Sequence, residues 1–212
     1  IEELFQIAKD NKCILIESIK TAYSLAFSRL ILLVKSGMIG DVISIDSTCT
    51  SLRKNKKDKR GSLQSWGPYG LLSIFSFLGT NYIKKEIYTK LDCEGHDIFT
   101  KINFYFDGAV SSMKVADGVK SEGELIISGS KGYVYVPAPW WKTDYFEIRQ
   151  EHIEDNKRYF YQLEGEGIRY MIVCFLKAIK TGRGDFYISK DISKEVSKIM
   201  DDFCGKKNVV YL

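Results

Sequence analysis

Phe99-Thr100-Lys101-Ile102-Asn103-Phe104-Tyr105-Phe106-Asp107-Gly108 sets the fold, because here the apolar spacing changes from a helical period to a period of two. Alternation of this kind builds a strand with one buried face. The closing Asp-Gly pair is a strong signal for a two-residue hairpin turn, so residues 109–116 are expected to return as the next strand. Residues 124–128 and 133–136 flank Gly129-Ser130-Lys131-Gly132 as a second hairpin, and 145–149 and 158–163 complete the run. Upstream, 42–50 is β-branched and partly alternating, so it is a strand as well. Consecutive hairpins predict a large, mainly antiparallel sheet rather than repeated βαβ units.

The remaining segments have helical spacing. Residues 2–10 form a short helical pattern broken at Asn11-Lys12, and Cys13 to Ile16 is an apolar run of the kind found in a buried parallel strand. From Ser24, the positions Leu25, Phe27, Leu30, Ile31, Leu33 and Val34 mark a helix closed by Gly37. Leu71 to Leu78 reads as a short helix ending at Gly79. Ile168, Met171, Ile172, Phe175, Leu176 and Ile179 form one C-terminal stripe, stopped by Gly182. Ile192, Val196, Ile199, Met200 and Phe203 form another, entered at Ser189 and stopped by Gly205. Both stripes are expected to cover one face of the sheet. The class is α+β: an open sheet with helices on one face, whose other face needs a cover of its own.

Composition narrows the function. The 212 residues are 45% apolar, enough for one full core, and the longest apolar runs are far too short to span a bilayer. Cys13, Cys49, Cys93, Cys174 and Cys204 lie far apart with no CxxC, which predicts reduced, mostly buried thiols and a cytoplasmic protein. His96 and His152 have no ligand spacing, so no metal site is expected. The net charge of +4 is concentrated in Arg53-Lys54-Asn55-Lys56-Lys57-Asp58-Lys59-Arg60. A solvated loop is the simplest reading of that run, and a contact to an anionic substrate or cofactor phosphate is the other. Without interleaved aromatics, nucleic-acid binding ranks below both.

The order of the motifs resembles the Gfo/Idh/MocA oxidoreductase family, in particular its dihydrodiol dehydrogenase branch. The resemblance is carried by Leu15-Ile16-Glu17-Ser18, by Lys35-Ser36-Gly37-Met38-Ile39-Gly40-Asp41-Val42, and by the glycine-punctuated segment from Gly61 to Gly79. It continues through Ile127-Ser128-Gly129-Ser130-Lys131-Gly132-Tyr133, Pro139-Trp140-Trp141, Tyr145-Phe146-Glu147-Ile148 and Gly165-Glu166-Gly167-Ile168-Arg169-Tyr170. What it implies is that residues 18–212 are the substrate-binding and oligomerisation domain. Residues 1–17 would be the last helix and strand of an N-terminal Rossmann domain that binds NAD or NADP. The chain starts at Ile1, and no strand–GxGxxG–helix unit occurs in it, so cofactor-binding residues are expected to lie upstream and this chain alone to be inactive. The resemblance further implies a sugar or polyol substrate and a homodimer or homotetramer formed through the open sheet face.

Aligning Gly67 with the family's glycine puts Tyr69 at the position of the family's catalytic His or Tyr. Alcohol oxidation needs a base within about 3 Å of the hydroxyl, and a phenol, with a pKa of about 10, needs a nearby cation to serve. The alternative is that Tyr69 only packs against the sheet. Trp140 and Trp141 are candidates to line a sugar face, or else sheet cover. Lys20 is a candidate anion contact, or else solvated. Ser65 and Leu72 stand where many members have aspartate, Ala22 near a common arginine, and Ser24-Leu25 replaces a common His-Pro. These losses point to a changed substrate, or to a non-catalytic binding or assembly module. Ser65 has no His or Asp in a pattern that would make it a nucleophile.

Overall fold

The structure is a computed structural model that describes residues 1–52, 60–182 and 187–212. Apart from Arg60, the basic run lies outside the described residues. Among the described residues five α-helices accompany a nine-stranded sheet: α1 (Glu2–Asp10), α2 (Leu25–Lys35), β1 (Val42–Ser51), α3 (Ser62–Leu78), β2 (Lys84–Leu91), β3 (Asp97–Phe106), β4 (Ala109–Asp117), β5 (Leu125–Gly129), β6 (Tyr133–Val136), β7 (Tyr145–Arg149), β8 (Lys157–Phe160), α4 (Ile168–Thr181), α5 (Lys190–Cys204) and β9 (Val209–Tyr211). The spatial order is β8-β7-β6-β5-β1-β4-β3-β2-β9. Only the β1–β4 and β2–β9 ladders are parallel; the other ladders described are antiparallel. The expected mainly antiparallel sheet is what forms.

Register separates the two faces. Ile87, Ile102, Met113, Ser47, Leu125 and Val136 stand opposite one another across six strands, and all are buried. One residue along, the facing row is Glu86, Asn103, Ser112, Asp46, Ile126, Tyr135, Glu147 and Arg158. Apart from Ile126 that second row is polar, and except for Glu147 it is half-buried or exposed. A one-residue slip of β2, β3 or β4 would exchange Ile87, Ile102 or Met113 for Glu86, Asn103 or Ser112, which fixes their register.

The glycine segment is not a loop leading to a short helix at Leu71. It is helical from Ser62, forming a 17-residue α3 that contains Pro68. Gly67 and Gly70 suit it because they allow close approach. A Cβ on Gly67 would lie 2.8 Å from Leu63 Cδ1 and 2.9 Å from Met200 Cε on α5, and one on Gly70 would lie 3.1 Å from Met113 Sδ on β4. Helix α3 thus sits between the sheet and α5. The two family-like glycine turns also meet each other: Lys131 N–H donates to Ile39 C=O at 2.9 Å, and Asp41 N–H to Ser130 Oγ at 2.9 Å.

Several expectations are corrected. Cys13 to Ile16 forms no strand, and no ladder partner pairs with it among the described residues. The α4 stripe does not cover the sheet: Ile168, Ile172, Val173, Leu176 and Ile179 are all exposed, and only Ala178 is buried. The left-handed turn at Gly165 and Gly167 directs α4 onto the 3-10 turn Lys20–Tyr23 instead. Of the thiols, Cys13, Cys93 and Cys204 are exposed and only Cys49 is fully buried. No helix among the described residues is long and apolar enough to cross a membrane.

Candidate functional site

Tyr69 lies on α3 one turn beyond Ser65, so the two side chains share a helix face. The ring of Trp66 stands 6.2 Å from that of Tyr69 and 5.1 Å from that of Trp141. Trp141 itself is on a 3-10 turn, Trp140–Lys142, which carries Lys142 to the same place. Lys142 and Lys20 both bond the carboxylate of Glu166, one amine to each oxygen. Four separate segments therefore converge: α3, the turn at Lys20, the turn at Trp140 and the Gly165–Gly167 turn.

The electrostatics of this corner follow from its partial burial. Burial raises the pKa of the Tyr69 phenol above its ordinary 10.0; Cys49 and Glu166 push the same way, and the nearby Lys142 cation opposes them. Desolvation wins, so the phenol holds its proton at neutral pH. Hydrogen bonds from Lys142 and then Lys20 lower Glu166 to about 2, so it is ionised there.

The expected site residues separate clearly. Tyr69, Lys20 and Trp141 come together. The Ser65 hydroxyl is buried and has no hydrogen-bond partner among the described residues, so it offers no exposed surface to a ligand. Trp140 is placed differently: it is fully buried, packs 6.0 Å from Phe27, and its indole N–H donates to Thr48 C=O at 3.1 Å. It presents no surface to a ligand. Leu72, Ala22 and Ser24 are buried as well, so these three positions serve the core. Within this chain the cation that acts on Tyr69 is Lys142, and its anionic partner is Glu166; neither was singled out from the sequence. Their signals were weak: a lysine after two tryptophans, and a carboxylate between two glycines.

The turn that opens α4 leaves no room for a pyrophosphate. The N-terminus of α4 follows Gly165 and Gly167, yet the close approach at Gly167 is already taken by Lys20 C=O, 2.5 Å from where a Cβ would stand. Among the described residues no three His, Cys, Asp or Glu side chains are grouped to hold a metal ion. A cleft of about 560 Å³ between α1, residues 13–17 and the start of α5 shares no lining residue with the Tyr69 corner.

No family model and no curated protein matches the chain. Its fold does match solved structures. It is similar to KijD10, a 3-ketoreductase from Actinomadura kijaniata in complex with NADP and TDP-benzene, at 15% identity and a TM-score of 0.82, over all of this chain and 68% of that one. It is also similar to an aldose-aldose oxidoreductase from Caulobacter crescentus complexed with glycerol, at 17% identity and a TM-score of 0.81, over 96% of this chain and 64% of that one. The UDP-N-acetylglucosamine 3-dehydrogenase GnnA from Acidithiobacillus ferrooxidans aligns at 12% identity and a TM-score of 0.76, over 98% of this chain and 65% of that one. The chain spans about two thirds of the length of these proteins. At such identities the likeness establishes the fold, which is the one implied by the Gfo/Idh/MocA resemblance in the sequence.

Proposed function

We propose that residues 18–212 form the substrate-binding domain of an NAD(P)-dependent oxidoreductase acting on a sugar, polyol or related alcohol. Residues 1–17 would then belong to a preceding dinucleotide-binding domain. The observation that carries this reading is the convergence of Tyr69, Lys142, Lys20, Trp66 and Trp141 at one corner of a sugar-oxidoreductase fold. A bound nicotinamide supplies or accepts the hydride in such chemistry. In this chain, Tyr69 handles the proton. Its raised pKa makes it a donor at neutral pH, suited to protonating a carbonyl oxygen as that oxygen gains charge. In the oxidative direction it must first lose its proton, and Lys142 is the cation that favours the phenolate. Trp66 and the accessible part of Trp141 offer apolar ring faces to sugar C–H surfaces. Lys20 offers a hydrogen bond to a hydroxyl, and the buried Ser65 hydroxyl would have to become accessible to add another.

The test is turnover of NADH or NADPH with a panel of keto-sugars by the longest protein its gene encodes. Consumption that collapses in Tyr69→Phe supports the reading; no consumption and no cofactor binding overturns it. A second reading, a non-catalytic binding or assembly module, is favoured by one observation: α4 presents five exposed apolar side chains suited to packing against another surface. Assembly as a homodimer or homotetramer through the polar sheet face belongs to the proposal as well. Ile126 and Tyr135 on that face support it, and sedimentation at micromolar concentration tests it; a monomer counts against it.

A further inference from the structure

Glu166 has a left-handed backbone, φ 53°, between Gly165 and Gly167. Non-glycine residues adopt this conformation at a cost, and here it directs the carboxylate between two amines from distant parts of the chain. Lys20 is 18% exposed, Lys142 39% and Glu166 43%, so the amines are partly dehydrated yet reachable. Two cations share one carboxylate, which leaves an excess positive charge. Arg169 does not alter that balance, because it pairs with Glu164. Helix α4 starts beside the cluster with no side-chain cap and no acidic residue in its first turn, so its dipole adds to the positive field. The cluster also adjoins Tyr69 and the Trp66–Trp141 pair, where the sugar reading places its ligand.

We infer that the site takes a sugar bearing an oxyanion, a carboxylate or a phosphate, which docks between Lys20 and Lys142 in place of the Glu166 carboxylate. The inference rests on the sugar-site reading above. Glu166 then serves as a built-in competitor: it holds the two amines in place until substrate displaces it. Its carboxylate already demonstrates that the two amines accept an oxyanion, one oxygen each. A half-exposed side chain on a surface turn can swing away without disturbing the core.

Equilibrium binding of D-glucose, D-glucuronate and D-glucose 6-phosphate to the wild type, Glu166→Gln, and the Lys20→Gln/Lys142→Gln pair tests this. At low salt one or both anionic sugars should bind about tenfold tighter than glucose, as charge-assisted bonds do, and the preference should fade as salt is added. Which anion gains more identifies a carboxylate or a phosphate as the group recognised. Glu166→Gln should tighten the anion by a further about threefold to tenfold, without tightening glucose, because the competitor is gone. Mere loss of a structural tie would weaken or leave unchanged both ligands. The double lysine variant, checked for an intact melting transition, should bind glucose and the anions alike. Glucose binding no weaker than the anions, or an anion weakened by Glu166→Gln, overturns the inference while leaving the sugar reading in place. If no sugar binds but inorganic phosphate does, in a lysine-dependent way, the oxyanion site stands and the sugar reading fails. Binding of none of them overturns both.

Discussion

Asp97, the first residue of β3, accepts the backbone N–H of Leu63 at 2.8 Å and so caps α3 from across the sheet. The same carboxylate oxygen accepts from Ser62 Oγ and Thr100 Oγ1. A carboxylate at a helix N-terminus also meets the positive end of the dipole. The position of Tyr69 thus depends on a residue in another element.

Asp97→Ala should therefore lower stability by about 3 kcal/mol, since it removes a cap and leaves buried donors unpaired. Urea unfolding measures this. An unchanged midpoint would mean that α3 holds its start without the cap.

Two glycines should respond unequally to alanine. On Gly129 the new Cβ would lie 2.2 Å from Ile39 C=O, a backbone atom that cannot move aside without shifting the turn, so Gly129→Ala should cost about 3 kcal/mol. On Gly70 it meets the flexible Met113 sulfur at 3.1 Å, and alanine favours the helix by about 1 kcal/mol, so Gly70→Ala should be close to neutral. Paired thermal melts distinguish the two.

Trp140 and Trp141 should differ as sharply. Trp140→Ala removes a fully buried indole and its bond to Thr48, at a cost of about 4 kcal/mol. Trp141→Ala should cost less stability and weaken sugar binding, read by calorimetry on the folded variant.

Acid should act through Glu166. Its pKa is depressed from 4.5 unfolded to about 2 folded, so its stabilising contribution is fully present above pH 4.5 and is lost as pH falls toward 2. Glu166→Gln lacks that contribution at neutral pH, so the stability gap between wild type and variant should close across this window. A gap that is constant with pH would show that the carboxylate is not held by Lys20 and Lys142.

The strands that alternate sharply were legible in the sequence. β3 and β4 follow from Ile102, Phe104 and the Asp107-Gly108 turn, and β5 and β6 from the Gly129–Gly132 turn. Strand β2 was not, because its open-face positions Lys84, Glu86, Tyr88 and Lys90 outnumber the buried Ile87 and Thr89. Nor was the three-residue β9, which gains its ladder only by meeting β2. The start of α3 was masked by Gly67, Pro68 and Gly70, poor helix formers whose value here is close packing. The α4 stripe has true helical period, but periodicity does not say what will cover it. At the candidate corner, Tyr69, Lys20 and Trp141 were singled out through the family-like motifs. Lys142 and Glu166 were missed because only the tertiary fold brings them together.

The most direct test of the central claim is the rate of NADPH and NADH oxidation with a keto-sugar by the longest protein the gene encodes, as wild type and as Tyr69→Phe, over a range of pH. The account predicts turnover that holds across neutral pH and declines above pH 10.0, where the phenol loses its proton. It also predicts a fall of about a hundredfold or more in Tyr69→Phe with sugar affinity retained. Equal rates in the two proteins would contradict the assignment of proton transfer to Tyr69.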